Sequence, residues 1–218
     1  MRTSLLISSS ACIGALAALL AALPLYLHYP IIPYLRFEAA EIPVILGFLL
    51  LGPKTGILSS VVYWIVLLLV GELSPLGPTM KFIAVAMTLL GLWLGFRIKR
   101  EPRFSLFLGS CLGCLFRVAS MSLFNCIVIV FMFPGLLKIA VGSISATLGM
   151  KFSSDVAAFA AVLGFTAVFN IIHTIISIVP AYLLVKSIVS FGKGAVETRR
   201  IWYVEFLRAA SKRSPQRS

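Results

Sequence analysis

Between Thr3 and Leu35, and again between Val156 and Val185, this chain carries no Asp, Glu, Lys or Arg. Apolar runs of that length leave few options for folding. About 20 such residues wound into a helix match the hydrocarbon thickness of a bilayer, and lipid is the solvent that accepts them on every side. Composition agrees: 60% of the 218 residues are hydrophobic, 12% are charged, and the mean hydropathy is +1.05. A soluble domain carries roughly a quarter charged residues. The sequence therefore specifies an integral membrane protein and excludes a soluble enzyme.

The pattern predicts six spans: Leu5–His28, a short Ile42–Leu51, Ile57–Val70, Thr79–Ile98, Phe104–Phe133 and Val156–Val189. The opening run reaches about Tyr29, beyond the ~7–15-residue core of a signal peptide, so it is expected to be a retained first helix. Tyr29 to Glu41 is read as a loop, and Leu136 to Ser154 as a loop with a short helix. A kink is expected at Pro180. Residues 1–190 make up the membrane domain, and 191–218 a basic cytoplasmic tail whose Trp202, Tyr203, Phe206 and Leu207 are expected at the membrane interface or on a partner.

The net charge of +12 follows the same plan. Basic residues cluster at Arg97, Lys99, Arg100 and Arg103 and from Lys186 to Arg217, flanking spans rather than forming a nucleic-acid surface. Placing both termini in the cytoplasm puts fourteen Lys and Arg inside and four (Arg36, Lys81, Lys138, Lys151) outside, as the positive-inside rule requires. The expected location is the cell membrane.

No catalytic constellation stands out. Cys12, Cys111, Cys114 and Cys126 lie in apolar segments and read as small buried helix residues. Gly52-Pro53-Lys54-Thr55-Gly56 is a tight helix connection and lacks the spacing of a phosphate-binding loop. Polar groups inside the spans are more informative, because each is costly unless paired or facing a cavity. Arg117 lies thirteen residues into the fifth span. Asn125 is about 12 Å further along that helix. Asn170 and His173 are three residues apart and share a face. Together they point to a polar pocket in the outer half of the bundle or to hydrogen bonds that hold helices together. The first span places Ala11/Ala15, Gly14/Ala18, Ala17/Ala21 and Ala18/Ala22 four apart, which allows close approach of a helix from this bundle or from a partner.

Three segments carry a family resemblance. Leu35-Arg36-Phe37-Glu38-Ala39-Ala40-Glu41-Ile42-Pro43, leading into Gly52-Pro53-Lys54-Thr55-Gly56, is one. Arg117-Val118-Ala119-Ser120-Met121 leading to Asn125 is the second, and Phe169-Asn170-Ile171-Ile172-His173 the third. With these the chain resembles the substrate-binding (S) components of energy-coupling factor (ECF) transporters, particularly riboflavin-type ones, over about residues 5–190. The resemblance implies a six-helix bundle that is not an enzyme and holds no cofactor. Its ligand would be riboflavin, delivered to a transmembrane coupling subunit and ATPase subunits. It assigns ligand contacts to Asn125, Asn170 and His173, a closing loop containing Glu38 and Glu41, and a coupling face with Ala11, Ala15, Ala18 and Ala22. The chain departs from the family pattern at Ala39-Ala40, where Phe-Ser is usual, and at His173, where Lys is usual; these departures admit a related vitamin. Two rivals are a membrane enzyme acting on lipid through Glu38 and Glu41, and an assembly subunit without a ligand.

Overall fold

Proline and glycine set the breaks between helices in this chain. The computed structural model describes residues 3–70, 74–98, 102–191 and 201–211. Helix α1 (Thr3–Ala22) stops short of the expected His28. Pro24 cannot donate a backbone hydrogen bond and disfavours helix at the residue before it. The chain then runs as strand β1 (Tyr26–His28), which pairs antiparallel with β2 (Arg36–Glu38) in the register Tyr26↔Glu38, Leu27↔Phe37 and His28↔Arg36. What reads as a loop in sequence is thus a hairpin, tied by Tyr29 N–H to Leu35 O at 2.9 Å and by His28 Nδ1 to Pro33 O at 3.0 Å.

Helix α2 (Glu41–Leu51) follows, with Pro43 in its first turn, where the missing N–H costs no helical bond. Gly52, at φ 100°, ends it in a conformation that disfavours a side chain, and Pro53 opens α3 (Pro53–Val70). Then come α4 (Leu76–Ile98) and α5 (Pro102–Ile127), the latter prolonged by a π-helical turn over Val128–Met132. A short helix α6 (Gly135–Leu148) occupies most of the expected loop, and α7 (Asp155–Phe191) runs 37 residues, through Pro180. Helix α8 (Trp202–Ser211) completes the described chain.

Among the described residues, five helices are long and apolar enough to cross a membrane: α1, α3, α4, α5 with its π-turn, and α7. The remaining predicted span, α2, has 11 residues and rises about 16 Å, roughly half the hydrocarbon thickness. Its first residue, Glu41, is therefore well placed to lie within the bundle, and it is 3% exposed. Large apolar side chains such as Leu19, Phe107, Leu115, Phe131 and Leu183 point outward, as lipid contact requires. Cys12 and Cys111 are also on that outer surface rather than buried.

Two apolar cores lie one above the other. The larger joins α1, α2, α3, α4, α7 and α8 around Phe48, Tyr63, Leu89, Leu92, Phe96 and Val185. The smaller joins the hairpin, the π-turn, α6 and α7 around Tyr29, Ile32, Ile129, Ile144 and Phe169. Trp202 and Tyr203, expected at the membrane interface, instead pack on the larger core. The Trp202 ring is 5.5 Å from Phe48 and 5.2 Å from Phe96, and Trp202 lies over Gly52. An amphipathic helix buries its aromatic face against whatever apolar surface is nearest, and here the bundle end supplies it. The Leu207 side chain and most of the tail's basic residues lie outside what is described.

Helices α4 and α5 pack backbone to backbone through Gly91, Gly95, Gly109 and Gly113, two small-xxx-small pairs that run antiparallel. A Cβ on Gly95 would collide with the Gly109 backbone, whereas one on Gly142 in α6 meets nothing within 4 Å. Gly95→Val is expected to destabilise the detergent-solubilised protein by about 1–3 kcal/mol through overpacking, and Gly142→Ala to stabilise it by up to about 1 kcal/mol. Thermal unfolding measures both, and equal melting temperatures would contradict the close packing.

Candidate substrate-binding site

Along α7 the smaller core ends at Phe169 and the larger begins at Ile178, and between them Asn170, His173, Thr174 and Ser177 are all buried. Their spacing of three, one and three residues keeps them on one helical stripe, with Thr166 one turn earlier. The hydroxyls of Thr166 and Thr174 donate to carbonyls four residues back, at 2.8 Å each. Asn170 donates from Nδ2 to Thr166 O at 2.9 Å, which turns its Oδ1 towards α5.

Arg117 meets this stripe from α5 at 2% exposure. A guanidinium buried without partners would be costly, so its hydrogen bonds need accounting. Nη1 donates to Glu41 Oε2 at 2.6 Å and Nη2 to Glu41 Oε1 at 2.9 Å, a bidentate pair that fits the planar fork to the carboxylate. Nε donates to Asn170 Oδ1 at 3.1 Å. Nη2 also lies 3.3 Å from His173 Nδ1. Ser177 Oγ donates to Glu41 Oε2 at 3.1 Å. Glu41 begins α2, where the helix N-terminus favours its negative charge.

The histidine completes the circuit. Its Nε2 is 3.2 Å from the backbone carbonyl of Glu38. Arginine can only donate and a carbonyl can only accept, so His173 accepts at Nδ1 and donates from Nε2, as the neutral ring does. The hairpin is thereby joined to the α2–α5–α7 cluster. A second tie is the ion pair of Lys81 Nζ with Glu38 Oε1 at 3.0 Å, which links the hairpin to the start of α4.

An aromatic layer covers this polar floor. The Phe37 and Phe169 rings are stacked, with centroids 4.7 Å apart. Tyr29 stands edge-on to Phe37 at 5.8 Å and is tilted to Phe169 at 5.6 Å. The His173 ring meets both phenylalanines edge-on, at 5.8 and 5.4 Å. Flat apolar surfaces beside a few convergent donors and acceptors are the usual lining of a small-molecule site.

The structure brings Glu41, Asn170 and His173 together. Glu38 contributes its backbone carbonyl there and sends its carboxylate to Lys81. Asn125 is buried, but its Nδ2 donates to Met121 O at 2.7 Å within its own helix, and it joins none of the hydrogen bonds around Arg117. Sequence reasoning counted Arg117 among the polar groups of the spans without naming its partners, and overlooked Ser177. The signals were present, because Ser177 lies one turn after His173 and an intramembrane arginine needs a carboxylate, and Glu41 directly borders an apolar helix. The alanine stripe of α1 divides: Gly14, Ala17 and Ala18 face the chain's own bundle, Gly14 packing on Val62 and Ser59 O, while Ala11, Ala15 and Ala22 are exposed.

Removing one member of a buried ion pair leaves the other uncompensated. Glu41→Ala is expected to cost about 3–5 kcal/mol in unfolding free energy, and the double variant Glu41→Met with Arg117→Met to recover much of that loss. Denaturant unfolding of both variants measures the coupling, and a double variant as unstable as the single one would refute it.

Comparisons with known proteins bear on the family and the fold. The family described as ECF transporter, substrate-specific component, matches residues 9–185. A solved structure of the S component of a bacterial ECF transporter superposes with a TM-score of 0.68 at 22% identity, covering 88% of this chain and 99% of that one, a likeness of fold. Curated protein sequences provide no match. The family match spans most of the chain and the helical architecture agrees with it, so the chain belongs to the substrate-specific components of ECF transporters, membrane subunits that capture the substrate.

Proposed function

We propose that this subunit captures riboflavin at the outer face of the membrane and passes it to a transmembrane coupling subunit driven by separate ATPase subunits. The observation that carries this proposal is the aromatic layer of Tyr29, Phe37 and Phe169 set directly against the Arg117–Asn170–His173 floor. The riboflavin ring system is planar, apolar at one end, and lined with donors and acceptors at the other. An aromatic wall suits its faces, and an amide and an imidazole suit its polar edge. Asn170 and His173 are the contacts for that edge. Asn125 lies on the same span as Arg117 and extends the site along α5. Admitting the ring exchanges the His173–Glu38 and Arg117–Asn170 hydrogen bonds for bonds to the ligand, so the polar groups stay satisfied in both states.

The charge distribution supports the orientation. Arg36, Lys81, Lys138 and Lys151 lie at the hairpin end, while Lys54, Arg97 and Lys186, at the α8 end, belong to the fourteen Lys and Arg on the other side of the spans in the sequence, so the α8 end is assigned to the cytoplasm. The exposed residues Ala11, Ala15 and Ala22 of α1 are the surface proposed for the coupling subunit, since small side chains let a second helix approach closely.

Purified protein is expected to carry flavin absorbance, or to acquire it on addition of riboflavin at micromolar concentration, and to melt at a higher temperature once loaded. Asn170→Ala is expected to weaken riboflavin binding about tenfold or more, because it removes a ligand contact and leaves Arg117 short of an acceptor. Protein that stays colourless and shows no thermal shift would end the riboflavin assignment, while a shift with another planar vitamin would move the ligand within the family. A lipid-modifying activity lost on mutating Glu38 and Glu41 would favour an enzyme instead.

A further inference from the structure

We infer that Tyr29 is a ligand-contacting residue whose hydroxyl hydrogen-bonds an oxygen or nitrogen of the bound substrate, an inference that rests on the substrate site proposed above. Tyr29 is 5% exposed, and its Oη is buried without a hydrogen-bond partner among the described residues. Buried hydroxyls nearly always have partners, since an unmade bond is the costly case. A phenylalanine would fill the same apolar space without that cost, as Phe37 and Phe169 do beside it. The hydroxyl therefore needs a partner that none of the described residues provides.

Two other buried hydroxyls, Ser10 Oγ and Thr55 Oγ1, also lack partners. They differ in kind. Each sits on the first side-chain atom beyond Cβ of a helical residue, within reach of carbonyls in its own preceding turn, and a small rotation can satisfy it. The Tyr29 hydroxyl is at the far end of a ring, beyond reach of its own backbone. Nor is that backbone free to turn: Tyr29 N–H donates to Leu35 O at 2.9 Å, and Tyr29 O accepts from Ile32 N–H at 3.2 Å. The ring is wedged against Phe37 and Phe169, the two rings that also border His173. The ring that carries the hydroxyl is thus held against the aromatic wall of the candidate site before any ligand arrives, and a preset side chain adds orientation at little entropic cost. A phenol both donates and accepts, so it suits a ring carbonyl, a ring nitrogen or a chain hydroxyl of a neutral planar ligand.

The test is Tyr29→Phe, which deletes the oxygen and keeps the ring. Two effects of opposite sense are expected. The ligand-free variant melts at the wild-type temperature or above, because an unsatisfied group has been removed. Its riboflavin dissociation constant, measured by fluorescence titration, rises about three- to tenfold, the worth of one hydrogen bond. Tyr29→Leu, which also removes the aromatic wall, weakens binding further. A lower melting temperature for ligand-free Tyr29→Phe would mean that the hydroxyl bonds within the protein, and would overturn the inference. So would an unchanged dissociation constant in a variant whose wild-type parent binds riboflavin. Wild-type protein that does not bind riboflavin overturns the substrate proposal itself, and the inference with it.

Discussion

The bidentate pair between Arg117 and Glu41 is the interaction on which the arrangement of this bundle depends. Each charge is almost fully buried, and neither would be tolerable alone in an apolar interior. Their mutual need brings the start of α2 to the middle of α5. The stripe on α7 then supplies Asn170, His173 and Ser177 to take up the remaining hydrogen-bonding capacity. A charged pair is a poor source of net stability compared with well-packed apolar groups. Its strength here is geometric, because the planar fork of an arginine meets a carboxylate in few ways and so sets the depth and rotation of three helices at once.

This polar layer divides the apolar interior. On one side of it, α1 to α4, the C-terminal half of α7 and α8 make a dense core closed by Trp202 over Gly52. On the other side, the hairpin, the π-turn, α6 and the N-terminal half of α7 make a smaller core rich in aromatic rings. The division separates a tightly packed end from one joined largely by side-chain contacts. Backbone-to-backbone packing of α4 on α5 leaves little room for change. The hairpin is held to the rest by side-chain contacts, one histidine hydrogen bond and one ion pair among them, and such contacts exchange more readily than interlocked backbones.

Much of the site was legible residue by residue. Asn170 and His173 share a helical face by arithmetic, and Glu41 stands beside a proline that marks a helix start. The link between them was less visible. Arg117 and Glu41 are separated by 76 positions, and nothing local in either segment names the other. The hairpin was hidden because Leu25, Tyr26 and Leu27 extend an apolar run, and hydropathy alone does not register the break that Pro24 makes. Helix α8 was misplaced for a related reason. An amphipathic aromatic face fits a bilayer interface and a bundle end equally well, and only the presence of an uncovered apolar surface around Phe48 and Phe96 chose between them.

The sequence by itself determined the solvent, the helical class and the rough position of most helices, because hydrophobicity, helix length and proline positions act over one segment at a time. Apolar runs of twenty or more residues have one stable outcome in lipid. Only the tertiary structure decided which polar groups meet, that Glu38 would lend its carbonyl rather than its carboxylate to the site, and that the alanines of α1 would divide between the bundle and the outer surface. Those outcomes depend on the relative depth and rotation of whole helices. Both are set by long-range packing and by the requirement that every buried charge find a partner, a condition that no single segment can meet alone.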